Sequence, residues 1–215
     1  MNMRTILALA AVAVLGVVAY LAVTHVGEPE LSSSRIYDQP RTIEPFQLQG
    51  SDGADVTNTA LQGQWTLLFT GYTFCPDICP TTMANLKARW EQLSSATDFP
   101  VQVWMISVDP QRDDVDRLNM YVNFFGEGFY GVRAEHRDLY PFVRNIGLMY
   151  SIPDEGETNY LVNHSAAVIL VDPNGHQHAI FRPSHEIGEL AVVNPNDLAS
   201  DFSKIVRYLE HVYRY

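Results

Sequence analysis

QWTLLFTGYTFCPDICPTTMANLKARWEQL, residues 64–93, decides the fold. WTLLFTGYT is an apolar run rich in strand-forming residues and reads as a buried strand. It runs straight into a segment holding both cysteines of the chain, Cys75 and Cys79, each followed by a proline. Beyond Pro80, Met83, Leu86, Trp90 and Leu93 recur at three- and four-residue steps, the pattern of a helix with one core-facing stripe. A buried strand feeding an amphipathic helix is the opening unit of a layered α/β domain.

Working outward, VQVWMISVDP (101–110) repeats the buried-strand pattern and stops at Asp-Pro, and DDVDRLNMYVNFF then reads as a helix with acids in its first turn. A short strand at Tyr130–Val132 precedes HRDLYPFVRNIGLMY, a helix that Pro141 and Gly147 should interrupt. HSAAVILVDPNGHQHAIF (164–181) is two strands joined by Asp-Pro-Asn-Gly, a strong hairpin signal. A last helix opens near Pro195 or Asn196 and closes the chain. On the other side of the opening unit, IEPFQLQGSDGADV (43–56) predicts an N-terminal hairpin turning around Gly50, Asp52 and Gly53. The sum is an α/β sandwich with a mixed central sheet, an order that fits a thioredoxin-like fold.

The chain has 215 residues and a formal net charge of -11, so its average surface repels nucleic-acid phosphates and no nucleic-acid partner is expected. Ile6 to Val23 is uncharged, free of proline and close to the ~20 residues a membrane-crossing helix needs. No small-x-small cleavage site follows it. Arg4 precedes the run and acids follow, which puts the N-terminus in the cytoplasm by the positive-inside rule. The expected organisation is a transmembrane anchor at 1–26, a tether at 27–42 and the folded domain at 43–215, in a bacterial inner membrane as a single-pass protein facing the periplasm.

Two cysteines are too few for a disulfide framework, which leaves a redox pair or a metal site. Lying where a strand passes into a helix, they should occupy the helix's first turn, where free N–H groups favour thiolate. At i and i+4 on a helix their Cβ atoms would stand about 5–6 Å apart, against about 3.5–4.5 Å in a relaxed disulfide. The spacing therefore favours metal without excluding reversible oxidation. Structural zinc wants four ligands, whereas soft thiolates suit Cu(I), and one imidazole would complete a site able to hold Cu(II) as well. Of the seven histidines, His25 falls in the tether region, His136 and His211 in helices, His176 and His178 after the hairpin turn, and His185 in a loop. His164, heading an apolar strand, is placed to meet the cysteine segment at the sheet edge. A strand end is also the ordinary place for a hydrogen-bonded structural histidine, so position leaves both readings open.

Taken together, GYTFCPDICP, SVDPQRD and NHSAAVILVDPNG, in that order, resemble the signature of the Sco/SenC family of copper chaperones across the whole folded part. The resemblance implies a membrane-anchored thioredoxin-like domain that binds one copper ion, Cu(I) or Cu(II), through Cys75, Cys79 and His164. It implies as partners cytochrome c oxidase subunit II, whose dinuclear copper centre such proteins help to build, and other copper chaperones. Asn163 stands where many members have Asp, which bears on the hydrogen bond orienting His164. Asp109 reads either as an outer contact of the site or as a turn acid before a proline, and Asp77 as an exposed helix-start acid. The ligands should lie near the surface, since cargo must pass to a partner. The alternative function is a thiol–disulfide oxidoreductase acting on the target's cysteines, with Cys75 and Cys79 as the catalytic pair. A non-catalytic copper or redox sensor is a third. A peroxidase reading fails because Tyr72 stands where the peroxiredoxin motif needs threonine.

Overall fold

The computed structural model describes residues 27–215 except 155, 158, 159 and 185–189, and within 1–26 it describes residues 2, 3, 13, 14 and 16. Eight strands form one sheet: β1 (Ser34–Thr42), β2 (Gln47–Gly50), β3 (Asp55–Thr57), β4 (Trp65–Gly71), β5 (Val101–Ser107), β6 (Phe129–Arg133), β7 (Val168–Val171) and β8 (His176–Phe181). Their spatial order is β1-β8-β7-β4-β5-β6-β2-β3. The helices are α1 (Ile78–Ala88), α2 (Trp90–Ser94), α3 (Val115–Asn123), α4 (His136–Asn145) and α5 (Pro195–Tyr213).

The centre of the sheet follows from the apolar runs. β4, β5 and β6 are parallel, with Leu67 opposite Val103 and Met105 opposite Gly131. All residues of β4 and β5 are buried, as strands covered on both faces must be. Alternation sorts their side chains. Trp65, Leu67, Phe69, Val103 and Met105 join Met83, Leu86, Leu118 and Phe202 of α1, α3 and α5 on one face. Leu68, Trp104 and Ile106 join Leu139, Phe142 and Val143 of α4, with Tyr72 and Cys79, on the other. The mixed α/β sheet matches the expectation. The 43–56 hairpin is present as β2 and β3, and β2 pairs antiparallel with β6.

Three expectations need correction. The 81–93 helix is two helices, because Arg89 leaves helical geometry at φ -108°, ψ 7°. Pro141 does not end α4, which runs through it to Asn145. Residues 34–42, expected as tether, form the edge strand β1 on β8. The membrane placement is corrected as well: among the described residues no helix is long and apolar enough to cross a membrane. The 6–23 run that prompted it lies, except for residues 13, 14 and 16, outside the described residues. The inner-membrane, periplasm-facing location is therefore withdrawn.

What holds β1 in place is a buried carboxylate. Asp201 of α5 accepts the N–H groups of Ser32, Ser33 and Ser34 at 3.0, 3.1 and 3.2 Å and the Ser34 hydroxyl at 2.6 Å. Burial pushes the Asp201 carboxyl up, but these donors outweigh it and the net displacement is downward. The folded state then holds its proton more weakly than the unfolded chain, so this contribution is complete above the ordinary carboxylate value of about 3.9 and is lost as pH falls through the lower folded value. The urea midpoint should fall between pH 5 and about pH 3, and Asp201→Asn should flatten that dependence; an unchanged slope would remove Asp201 as its source.

Candidate metal centre

β4 ends at Gly71, and six residues carry the chain to the start of α1. A Cβ on Gly71 would stand 3.2 Å from the Met105 side chain and 3.3 Å from Cys79 Sγ, so glycine lets the strand end lie against the sulfur. Pro76 disfavours helical geometry for Cys75, which stands in the turn before α1 with its N–H on the Tyr72 carbonyl at 3.2 Å. Only Cys79 is helical, which corrects the expectation that both thiols share the first turn. Pro80 is tolerated one residue later, where the missing N–H would have no helical partner. The Asp77 side chain makes no cap bond. The Cys79 N–H instead donates to Cys75 Sγ at 3.4 Å, so that sulfur takes up one free donor of the helix start.

His164 arrives from 85 residues further on, with Nε2 3.4 Å from Cys79 Sγ. The strand expected to begin there begins at Val168; His164 sits before it, in an isolated antiparallel bridge with Tyr150. The ring is oriented by two groups. Nδ1 lies 3.0 Å from the Ser165 carbonyl and 3.4 Å from Thr70 Oγ1. A carbonyl only accepts, and Thr70 already donates to that carbonyl at 2.8 Å, so both partners assign the proton to Nδ1. The Nε2 lone pair then faces the sulfurs. Tyr72 meets the ring edge-on at 5.9 Å.

Cys75 Sγ, Cys79 Sγ and a His164 ring nitrogen all lie within 4.8 Å of one another, and among the described residues this is the one group of three His, Cys, Asp or Glu side chains so disposed. Both cysteines are free. Cys79 is fully buried, while Cys75 and His164 are half-buried. A hydrogen bond from the Cys79 thiol is the largest influence on Cys75 and pulls its pKa well down, against burial and with help from backbone N–H groups. The same bond, burial and the charge on Cys75 push Cys79 up. The more accessible sulfur is thus the one that ionises first and the buried one the one that keeps its proton longer.

The other residues fall outside this set. Asp109 is buried in a pair with Arg112 at 2.5 Å and accepts the Tyr160 hydroxyl at 2.7 Å, and it makes no hydrogen bond to His164. Asn163 contributes its backbone carbonyl, which accepts the Ser151 N–H at 2.8 Å. Asp77 is exposed. His136 bonds Tyr150 and His178 bonds Asp172, while His25 and His185 lie outside the described residues. Sequence reasoning missed Thr70 and Ser165. The available signal was a threonine at the end of an otherwise apolar strand, where a buried hydroxyl needs a partner. Phe74, Met149, Ile152 and Leu161, near the cysteine and histidine segments in sequence, are exposed.

The sequence model described as SCO1/SenC matches residues 34–193. The mitochondrial SCO1 homolog 1 of Arabidopsis thaliana is 32% identical over 146 residues, 68% of this chain and 44% of that protein. The chain thus spans less than half of that relative's length. A crystal structure of Arabidopsis thaliana ScoI with copper bound superposes with a TM-score of 0.66 at 29% identity, covering 76% of this chain and 97% of that one. Yeast Sco1 with copper bound gives a TM-score of 0.65 at 28% identity, covering 82% and 91%.

Proposed function

The chain belongs to the SCO1/SenC family, and on that footing we propose that it is a copper metallochaperone. It binds one copper ion through Cys75, Cys79 and His164 and delivers it to the dinuclear copper centre of cytochrome c oxidase subunit II. The observation that carries this reading is the convergence of two sulfurs and an imidazole nitrogen within 4.8 Å. Two thiolates suit Cu(I), and the imidazole supplies the harder donor that Cu(II) needs. Loading displaces the proton kept on Cys79. His164 needs no change of tautomer, because Ser165 and Thr70 hold Nδ1–H away from the sulfurs. Transfer proceeds by ligand exchange, in which acceptor thiolates replace the half-buried donors Cys75 and His164 before the buried Cys79 lets go.

Anaerobic Cu(I) titration, with sulfur-to-copper charge-transfer absorption for Cu(II), tests the reading. His164→Ala should retain most Cu(I) binding, since two thiolates remain, and lose the Cu(II) band. A variant that matched the parent with both ions would remove His164 from the site. The free, unequal thiols also favour a second reading, reduction of the target's own cysteines before metallation. That activity needs Cys75 and Cys79 but not His164. A His164→Ala protein that loses the Cu(II) band and still succeeds as a reductant would show both roles on one domain.

A further inference from the structure

We propose that Asp113 is a positioning residue for copper binding, holding the Cys75 loop in the geometry that lets Cys75 meet Cys79 and His164; this rests on the copper reading above. Of the three donors, Cys79 is fixed by α1 and His164 by its bridge to Tyr150. Cys75 belongs to neither a helix nor a strand. Its loop, residues 72–77, needs anchors of its own, and the strongest comes from the segment after β5.

Asp113 is fully buried. Its Oδ1 accepts the Thr73 hydroxyl at 2.6 Å, and its Oδ2 accepts the Thr73 N–H at 3.0 Å and the Ser107 hydroxyl at 2.6 Å. Two of these bonds seize one residue, two positions before Cys75. With its hydroxyl proton given to Asp113, Thr73 Oγ1 accepts from Arg117 Nε at 2.6 Å, linking the loop to α3. Phe74 is then held by the Arg117 guanidinium, 3.8 Å from the ring centre, with Arg112 at 4.9 Å on the same ring. The carboxylate is itself fixed: the Asp113 N–H donates to the Asp109 carbonyl at 2.9 Å, and its carbonyl accepts from Arg133 Nε at 2.9 Å. A buried carboxylate with three donors, two of them from one residue of the metal loop, is more than a turn needs.

The test compares Thr73→Val, which deletes the hydroxyl at nearly constant shape, Thr73→Ser, which keeps it, and Asp113→Asn, which sets an amide NH2 against donors. Outer contacts of this kind are worth roughly 10–100-fold in metal affinity. Thr73→Val and Asp113→Asn should weaken Cu(I) binding by about tenfold or more and shift the Cu(II)–thiolate band, while Thr73→Ser matches the parent. Folded Thr73→Val and Asp113→Asn proteins with parental affinity and spectrum would overturn the assignment. Should Asp113→Asn not fold, the two Thr73 variants decide alone. If the parent takes up no copper, the function fails rather than this inference; the metal-free proteins then answer through the rate at which oxidised glutathione, itself reduced to two thiols, converts Cys75 and Cys79 to a disulfide. Thr73→Val must alter that rate and Thr73→Ser must not, and equal rates in all three overturn it.

Discussion

Replacing Cys79 by serine should abolish stoichiometric copper binding at concentrations where the parent is saturated. Apparent binding energies of about 10–16 kcal/mol for four-ligand zinc sites correspond to roughly 2.5–4 kcal/mol per ligand. On that scale the loss of one thiolate weakens affinity by about 70- to 900-fold. A soft ion loses more than this when a hydroxyl replaces a sulfur, because serine neither deprotonates at neutral pH nor suits Cu(I). Serine is small enough for the position, and the buried cluster to which Cys79 belongs, with Tyr72, Ile106 and Val108 among its members, should persist. Competition against a Cu(I) chelator, with circular dichroism to confirm folding, makes the measurement. Parental affinity in a folded Cys79→Ser protein would move the site elsewhere. Cys75→Ser should show a similar loss, and there the freed Cys79 N–H at the helix start finds the serine hydroxyl as a substitute acceptor.

How far the sequence disclosed this site depends on which force placed each residue. Cys79 is local: a buried strand, a short loop and a helix start are all written in residues 64–93, and their order gave both the α/β class and the thiol's position. Cys75 was misplaced by one structural state, because the helix-start argument ignored what Pro76 does to the residue before it. His164 is a long-range result. Its own segment shows a strand end and nothing more, and only the pairing of β7 against β4, with Leu68 opposite Ile169, brings it back to the thiols. The family resemblance supplied that partner, not the spacing. β1 escaped because its residues alternate poorly and include Pro40; its order comes from β8 and from the Asp201 carboxylate 167 residues away. Thr70 and Asp113 were illegible for the same reason. A buried hydroxyl or carboxylate announces itself only when its donors are known.

At the other end of the sheet, Asp172→Ala should be the most destabilising single change outside the site, at about 3–5 kcal/mol. Asp172 opens the Asp-Pro-Asn-Gly turn whose hairpin the sequence foretold, but the turn accounts for only half its bonds. Oδ1 accepts the Asn174 and His176 N–H groups at 3.0 and 2.7 Å. Oδ2 meets His178 Nε2 at 2.9 Å and accepts the Tyr215 hydroxyl at 2.7 Å. His178 is 1% exposed, and Tyr215 stacks edge-on against Trp65 at 5.6 Å. One carboxylate therefore joins the β7–β8 turn, the interior of β8 and the last residue of the chain. Alanine would leave two turn N–H groups without an acceptor and strip a buried imidazole and a half-buried phenol of their carboxylate, leaving those two only the 3.3 Å contact between the Tyr215 hydroxyl and His178 Nε2. For a domain of this size each kcal/mol moves Tm by about 2–4 °C, so the fall should be roughly 6–20 °C. Asp172→Asn should cost less, since its oxygen still serves the turn and the imidazole can change tautomer. Copper affinity should stay at the parental value in both, because Val171 pairs with Thr66 at the start of β4 whereas the thiols lie beyond its end. A Tm within a few degrees of the parent for Asp172→Ala would show that water, not the protein, satisfies these donors; a parallel loss of copper affinity would show that the two ends of the sheet are coupled through β7.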